Sequence, residues 1–315
     1  MVQTNLSGVY TAIFTPLNND CPKRLYNSID YAKAKIMIDD QISRGVNGLV
    51  PVGTTGQSAT VTPQQHLDFI KFVLDYAGDR CKIIAGAGSN CTRESVEMIK
   101  NIQKIKEIPV LCVTGYYNNP TQFGVKMHFD TLASETGAEI VLYNVPGRTN
   151  SYIHANTVIE LAQNKQFIGI KQAVDFKIGG SFREDTLRII KETKNTHFSV
   201  VSGEDDAVAQ LIKDGGTGVI SATANIPEAL SLFLSVISEG NAGNYSKSFD
   251  LQEELIPFIR ACFSRKNPIP LGTFLNSPMY QPLCSVSETE DGDLLHEDLM
   301  EFMRASAPSL LKFHK

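Results

Sequence analysis

Short apolar runs alternate with longer segments of helical periodicity along most of the chain. The apolar runs are rich in β-branched residues, and the segments between them repeat apolar positions three and four residues apart. The predicted strands are Val9–Phe14, Gly48–Val52, Lys82–Ala85, Val110–Val113, Ile140–Tyr143, Phe167–Ile170, Phe198–Val201 and Val219–Ser221. The predicted helices after them are Tyr31–Ile42, Pro63–Tyr76, Thr92–Ile105, Gln122–Ser134, Ala155–Gln163, Glu184–Lys194, Ala207–Lys213 and Pro227–Ser238.

This alternation makes eight strand–helix units in about 230 residues. Parallel strands joined by right-handed helical crossovers, eight in number, fit a closed (β/α)8 TIM barrel better than an open sheet. An open dinucleotide-binding sheet would need a Gly-x-Gly-x-x-Gly turn after strand one, and Thr15-Pro16-Leu17-Asn18 stands there instead. We therefore predict an α/β barrel over residues 1–240. A helical region packed on it is predicted over residues 241–315, with helices near Ser248–Phe263 and Leu294–Met303.

Composition narrows the class of protein. Hydrophobic residues make up 42% and charged residues 20%, as in a globular protein, and the net charge of −5 disfavours a nucleic-acid partner. No apolar run is long enough to span a membrane, and the first residues lack a secretory signal. The six cysteines form no Cys-x-x-Cys pair and the six histidines no His-x-x-x-His pair. We expect a cytoplasmic protein with reduced thiols and no metal site.

Lys171 ends the sixth predicted strand, Phe167–Ile170, and the residues on either side are apolar or small. Burial of an amine at such a position favours its neutral, nucleophilic form, which is what a Schiff-base lysine needs. The alternative is a lysine whose stem lines the core while its ammonium reaches water. This stretch alone leaves both interpretations open.

The ends of other strands also carry candidate chemistry, since active sites of such barrels form at the carboxyl ends of the strands. Gly53-Thr54-Thr55-Gly56 suits carboxylate or phosphate binding through hydroxyls and backbone N–H groups, or is an ordinary capped turn. Tyr116-Tyr117 is either packing or an interface anchor. Tyr143 is expected to point into the barrel mouth with Arg148 above it. At Ser202-Gly203-Glu204 the glycine leaves room for a ligand. A lysine, a tyrosine, hydroxyls and an arginine on one rim are what pyruvate chemistry requires.

From Gly8 to about Pro282 the chain resembles the dihydrodipicolinate synthase family of class I pyruvate-dependent aldolases, a superfamily that also includes N-acetylneuraminate lyase. The motifs that carry the resemblance are Gly53-Thr54-Thr55-Gly56, Tyr116-Tyr117-Asn118, Tyr143-Asn144-Val145-Pro146-Gly147-Arg148-Thr149, Gly169-Ile170-Lys171, Gly218-Val219-Ile220-Ser221 and Asn267-Pro268-Ile269-Pro270. The resemblance implies condensation of pyruvate with aspartate-4-semialdehyde in lysine and diaminopimelate biosynthesis. It implies no metal or organic cofactor, because the intermediate is a covalent imine with pyruvate.

The same resemblance assigns roles to single residues. Lys171 would form the imine, and Tyr143 would transfer protons through Thr54 to Tyr117 from a neighbouring subunit. Thr55 would hold the pyruvate carboxylate and Arg148 that of the semialdehyde. Gly203 and Ile220 would line the pocket. A homotetramer built from two tight dimers is implied as well.

Several positions depart from the family pattern. Gln57 and Gln172 stand where glutamate is usual, Gly115 stands where proline is usual, and the stretch 172–183 is longer than in most relatives. Family members are often inhibited by lysine, and the matching residues here are Ser58, Ala59, His66, Asn90, Glu94 and Tyr116. Pro63 replaces a residue that often contributes a side-chain contact to that site, so we expect weakened lysine affinity.

Two other functions remain open at this point. One is a sister aldolase that acts on a 2-keto-3-deoxy sugar acid or on N-acetylneuraminate, and Arg148 argues against it because it suits a short substrate with its own carboxylate. The other is a non-catalytic, metabolite-binding homologue, which the joint presence of Lys171, Tyr143 and Thr54 disfavours.

Overall fold

The computed structural model describes residues 6–20, 27–176, 179–279 and 290–314. Its nine strands all pair in parallel, in the order β3-β2-β1-β9-β8-β7-β6-β5-β4. They are β1 Gly8–Thr11, β2 Gly48–Leu49, β3 Lys82–Ile83, β4 Ala85–Gly86, β5 Val110–Val113, β6 Ile140–Asn144, β7 Phe167–Gln172, β8 Ser199–Ser202 and β9 Gly218–Ser221. Only Ile84 separates β3 from β4, so the two ends of this order are halves of one strand. The sheet therefore closes into an eight-stranded barrel, and the predicted TIM barrel is confirmed.

Twelve α-helices are described. They are α1 Tyr31–Ser43, α2 Pro63–Ala77, α3 Thr92–Ile105, α4 Gln122–Thr136, α5 Pro146–Thr149, α6 Ala155–Leu161, α7 Ser181–Glu192, α8 Val208–Lys213, α9 Pro227–Asn241, α10 Tyr245–Cys262, α11 Ile269–Phe274 and α12 Glu290–Ser306. Helices α1 to α4 and α9 begin at the residues that the sequence predicts, whereas α10 begins at Tyr245 rather than Ser248 and α12 at Glu290 rather than Leu294. In α2 the Thr62 side chain accepts from the Gln65 N–H in a capping box, and proline occupies the first turn.

The differences from the predicted elements lie mainly beside the strand ends. The short helices α5 and α11 were not predicted, because each begins at a proline-containing motif that also reads as a turn. Helix α7 begins at Ser181 rather than Glu184. Its extra turn carries Phe182, whose ring packs against Tyr152 with centroids 4.8 Å apart. Tertiary packing therefore extends this helix beyond its local sequence signal.

Two apolar clusters hold the barrel together. One fills its interior, with one or two side chains from most strands, such as Tyr10, Val50, Leu111, Val141 and Ile220. The other lies between the strands and the surrounding helices and continues without a break into Leu255, Phe258, Phe274 and Met303 of the C-terminal helices. The barrel and the C-terminal helices thus share one core. A boundary between residues 240 and 241 stays a prediction, and it falls at the C-terminus of α9.

The four cysteines within the described ranges are all unpaired thiols: Cys81, Cys91, Cys112 and Cys262. Burial raises the pKa of Cys81 to about 11 and that of Cys112 to about 12. Such thiols stay protonated and unreactive at neutral pH. Cys21 and Cys284 lie outside the described residues. Within the described ranges, no helix combines the length and apolar character that crossing a membrane would demand.

Candidate active site

An irregularity in β7 decides which way Lys171 faces. Phe167 pairs with Ile140, and both belong to the outer apolar layer. Regular alternation from Phe167 would also turn residue 171 outward. The register shifts between Ile140 and Val141, so that Gly169 pairs with Val141 and one extra residue enters β7. Such a bulge inverts the alternation, and Lys171 faces the barrel interior.

Lys171 and Tyr143 occupy paired positions on the adjacent strands β7 and β6. The Lys171 Nζ lies 4.6 Å from the centroid of the Tyr143 ring. The two residues are 7% and 8% exposed, respectively. The structure thus brings the predicted nucleophile and the predicted proton-transfer residue into direct contact inside the barrel mouth. Lys171 lies within strand β7 itself, one residue beyond the predicted strand end.

Gly203 makes room for the lysine itself. A Cβ at this position would lie 2.8 Å from Lys171 Cε and 2.7 Å from the Ala173 Cβ. No real side chain fits at such distances, so a glycine is required wherever Lys171 adopts this path. The absence of a side chain at Gly203 therefore accommodates Lys171, and the predicted lining of the ligand pocket by Gly203 stays a prediction.

Thr55 and Arg148 are linked through a third residue, Asn267. The Asn267 Nδ2 donates to Thr55 Oγ1 at 3.0 Å, and Arg148 Nη2 donates to the Asn267 carbonyl oxygen at 2.8 Å. Thr55 is 3% exposed, whereas Arg148 is exposed to solvent. The two groups predicted to bind carboxylates therefore share one partner. Sequence reasoning missed Asn267 as a site residue, although its Asn-Pro-Ile-Pro motif was a signal.

Two acidic residues after β8 lie close enough to Lys171 to interact with its charge. Burial, with the neighbouring Asp205 and Asp206 carboxylates adding to it, raises the pKa of Glu204 to about 7, while Lys171 opposes the shift. Burial also raises the pKa of Asp205, whose Oδ2 accepts a 3.0 Å hydrogen bond from the Thr223 N–H. These acids therefore make the loop after β8 sensitive to pH.

The remaining predicted site residues, Ile220, Thr54 and Tyr117, differ in how deeply they are buried. Ile220 is fully buried within the barrel, in the cluster that also contains Tyr143. Thr54 is half-buried in the loop after β2. Tyr117 has a left-handed backbone, with φ of 70°, and is 94% exposed. The structure of one chain therefore does not bring Tyr117 into its own site.

The two glutamines at glutamate positions have structural partners. Gln172 accepts from Asn144 Nδ2 at 2.9 Å and donates to Thr186 Oγ1 at 3.1 Å. A carboxylate has no donor for the second bond, so the neutral amide satisfies this buried position better. Gln57 Nε2 donates to the Thr15 carbonyl at 3.0 Å. Neither glutamine displaces a predicted site residue.

Five of the six residues predicted for lysine binding line one cavity of about 290 Å³, namely Ser58, Ala59, His66, Glu94 and Tyr116. Glu97 adds a second carboxylate to its wall, and Pro63 adds a ring without a polar group. His66 Nε2 lies 2.7 Å from the Gly86 carbonyl, and burial lowers the pKa of this histidine. Asn90 is the exception and does not line the cavity; its Nδ2 donates to Asn118 Oδ1.

A comparison with known protein families finds a match over most of the chain. The model of the dihydrodipicolinate synthetase family matches residues 5–289. The chain belongs to the dihydrodipicolinate synthetase family.

Curated relatives in this family carry a specific enzyme name. The 4-hydroxy-tetrahydrodipicolinate synthase of Methanococcus maripaludis strain S2 is 34% identical over 291 residues, which cover 90% of this chain and 94% of that protein. The enzyme of the same name from Nitratidesulfovibrio vulgaris strain DP4 is 36% identical over 296 residues, which cover 91% and 96%.

Solved structures of the family share the barrel. The chloride-inhibited dihydrodipicolinate synthase of Acinetobacter baumannii complexed with pyruvate has a TM-score of 0.83 and is 29% identical, covering 94% of this chain and 98% of that one. The enzyme of Cyanidioschyzon merolae with lysine bound has a TM-score of 0.81 and is 29% identical, covering 94% and 97%.

Proposed function

We propose that this member of the dihydrodipicolinate synthetase family is a 4-hydroxy-tetrahydrodipicolinate synthase. It condenses pyruvate with L-aspartate-4-semialdehyde through an imine on Lys171. The observation that carries the proposal is a buried amine, 7% exposed, packed against the ring of Tyr143 in the barrel mouth. The names of the curated relatives support the same reaction.

Imine formation needs the keto acid to be held and protons to be moved. The Thr55 hydroxyl holds the pyruvate carboxylate, and the nitrogen of Lys171 adds to the ketone carbon. Water then leaves with protons passed by the Tyr143 phenol, and the C=N bond forms. The imine nitrogen accepts electrons from the adjacent methyl group once that group loses a proton. The lysine therefore supplies the electron sink, and the proposed reaction needs no cofactor.

The second substrate carries its own carboxylate, for which Arg148 provides a guanidinium at the rim of the site. The methylene carbon of the enamine attacks the aldehyde, whose oxygen takes a proton. The amine of the semialdehyde then attacks the imine carbon and displaces Lys171 Nζ as the ring closes. An arginine fork suits this carboxylate because it can donate two parallel hydrogen bonds.

Substrate comparison tests this proposal. Purified protein is expected to turn over pyruvate with aspartate-4-semialdehyde, and to cleave 2-keto-3-deoxy sugar acids or N-acetylneuraminate at least about 100-fold more slowly. The Lys171→Ala variant is expected to lose both activities. Preference for a sugar acid would identify the protein as a sister aldolase, and no turnover of either would favour a non-catalytic homologue.

The cavity lined by Glu94 and His66 is proposed as a regulatory site for lysine. Its two carboxylates, Glu94 and Glu97, suit the ammonium groups of that ligand. Pro63 offers no side-chain hydrogen bond there, so we expect inhibition to be weak. A lysine titration of the initial rate measures this, and complete inhibition at low concentration would contradict the proposed weakening.

The proposed active form is a homotetramer, arranged as a dimer of tight dimers, in which Tyr117 enters the site of a neighbouring subunit. The observation that supports this assembly is the Tyr117 side chain, which is 94% exposed in a single chain. An exposed tyrosine is a common interface anchor.

A further inference from the structure

Asn267 links two distant parts of the barrel rim. It follows α10 and is only 6% exposed. Its side-chain amide contacts Thr55 in the loop after β2, which lies 212 positions away in the chain. Its main-chain carbonyl contacts Arg148 in α5 after β6, which lies 119 positions away. One buried residue thus joins both groups that are proposed to hold substrate carboxylates.

The direction of the first hydrogen bond matters for chemistry. A hydroxyl has one hydrogen to donate and two lone pairs that accept. Because Asn267 Nδ2 donates to Thr55 Oγ1, it occupies a lone pair and leaves the Thr55 hydrogen free. A carboxylate can only accept, so Thr55 can serve it only while that hydrogen is available. Asn267 therefore keeps Thr55 in the donating state.

The second hydrogen bond leaves Arg148 able to bind. The Asn267 carbonyl is a neutral acceptor and takes up a single N–H at Nη2. A guanidinium has five N–H donors, so enough remain for a two-point contact with a carboxylate. A carboxylate partner in place of this carbonyl would compete with the substrate for the charge of Arg148.

The side-chain oxygen of Asn267 lacks a hydrogen bond. Its Oδ1 is buried and has no hydrogen-bond partner among the residues that the structure describes. An unsatisfied buried acceptor lowers the stability of the folded protein. A residue serving only to pack α11 against the barrel would avoid that cost, which points to a role in the site.

We propose that Asn267 is a positioning residue that sets both carboxylate receptors at once. Its amide directs the Thr55 hydroxyl toward the keto acid, and its carbonyl fixes Arg148 for the carboxylate of the second substrate. This inference rests on the proposed function.

The test compares two substitutions of Asn267 in the full-length protein. In Asn267→Asp the shape is kept, but the new carboxylate draws the Thr55 hydrogen toward itself and places a negative charge near the substrate. In Asn267→Ala the donor is simply lost. Borohydride trapping of the pyruvate imine is measured against pyruvate concentration, together with the KM for the semialdehyde.

The pyruvate concentration for half-maximal trapping is expected to rise about tenfold in Asn267→Ala and at least about 100-fold in Asn267→Asp. The KM for the semialdehyde is expected to rise about threefold or more in both. Trapping at saturating pyruvate should reach the wild-type level in Asn267→Ala, since Lys171 is untouched. A Thr55→Val substitution should weaken pyruvate binding less in the Asn267→Ala background than in the wild-type protein, because the bond that directs the Thr55 hydroxyl is already lost there.

The matched control is Ser277→Ala. Ser277 also ties the C-terminal segment to the barrel, since its Oγ accepts from the Leu17 N–H at 2.8 Å, but it contacts neither Thr55 nor Arg148. This variant should lower the melting temperature and leave pyruvate half-saturation unchanged. An Asn267→Ala variant that behaves in the same way would overturn the inference. Wild-type pyruvate affinity in Asn267→Asp would overturn it too.

A folding defect and a failure of the proposed function can be distinguished from a failure of this inference. If Asn267→Asp fails to fold, the half-saturation of Asn267→Ala decides. If wild-type protein forms no adduct at any pyruvate concentration, the proposed function fails, whatever happens at position 267.

Discussion

The contact between Lys171 and Tyr143 gives each residue a distinct place in the chemistry. The amine lies over the phenol ring, 4.6 Å from its centroid, so an imine formed on Nζ would remain within reach of the tyrosine side chain. Proton transfer needs such proximity before any tuning of acidity matters. Proton transfer in the proposed reaction therefore depends on the Tyr143 hydroxyl.

Tyr143→Phe removes this hydroxyl and keeps the ring. We expect the turnover number to fall by roughly 10²–10⁴, the usual loss when a general acid–base is removed. The measurement is the steady-state rate with both substrates at saturation. Tyr152→Phe is the matched control, because Tyr152 donates to Asp185 on the outside of the barrel. A Tyr143→Phe enzyme as fast as this control would contradict the assignment.

Glu204 predicts a pH dependence of stability. Its folded-state pKa is raised to about 7, whereas an unfolded glutamate titrates near its ordinary value. Between those two values the folded state holds a proton that the unfolded state has lost, so stability falls as pH rises through this window. Glu204→Gln removes the titrating group. The substitution should stabilise the protein by about 1–3 kcal/mol at pH 8 and should not stabilise it at pH 4.5.

Denaturant unfolding at the two pH values measures this difference. The exposed Glu253→Gln is the control and should show no such change with pH. An equal effect of Glu204→Gln at both pH values would show that Glu204 does not titrate as described.

The sequence singled out Lys171, Tyr143, Thr55 and Arg148 as candidates, because each lies next to a strand end that the hydrophobic pattern locates. Asn267 could not be found in that way. Its two partners are 212 and 119 positions distant, and only the closed barrel brings them together. Gly203 was a candidate too, but its close approach to Lys171 could not be predicted, because the path of the Lys171 side chain is a tertiary property.

At the scale of elements, β7 is the strand on which the site depends. Its apolar pattern correctly predicted a strand that ends near Lys171. The extra residue that turns Lys171 inward left no mark in that pattern, because an irregularity of register depends on the neighbouring strand. Similarly, α5 and α11 escaped prediction because proline motifs are compatible with both turns and first helical turns.

Gly169→Ala tests the packing of β7. A Cβ at this position would lie 2.5 Å from the Ser199 carbonyl and 2.9 Å from Leu6 Cδ1. We expect a loss of about 1–3 kcal/mol in the free energy of unfolding, together with weaker imine formation as Lys171 shifts. Thermal unfolding and borohydride trapping provide the two measurements.

Gly124→Ala in α4 is the control, since its Cβ would meet only ordinary contacts at 3.6 Å. It should be neutral or stabilising, because alanine favours a helix over glycine. If Gly169→Ala were as stable as Gly124→Ala, the close contacts around Gly169 would not restrict the packing of β7.

At the scale of the whole molecule, one barrel holds Lys171, Tyr143, Thr55 and Arg148 but leaves Tyr117 exposed. If Tyr117 serves a neighbouring subunit, activity depends on assembly, and defects in different chains can complement each other. The matching partners would be a chain that lacks Lys171 and a chain that lacks the Tyr117 hydroxyl.

Mixed oligomers of Lys171→Ala and Tyr117→Phe chains should recover up to about a quarter of wild-type activity after unfolding and refolding together. Half of the random pairs then contain one site with both residues intact. Mixing Lys171→Ala with Tyr143→Phe is the control and should recover nothing, because those two residues belong to the same barrel. Failure of the first mixture to exceed the second would contradict a shared site.

The proposed reaction depends on covalent capture of a keto acid by one amine. The most direct measurement is borohydride reduction of the protein with pyruvate, followed by peptide mass spectrometry. We expect a reduced pyruvate adduct on Lys171, and on no other lysine at comparable yield. An unmodified Lys171, in protein that is folded and saturated with pyruvate, would contradict it.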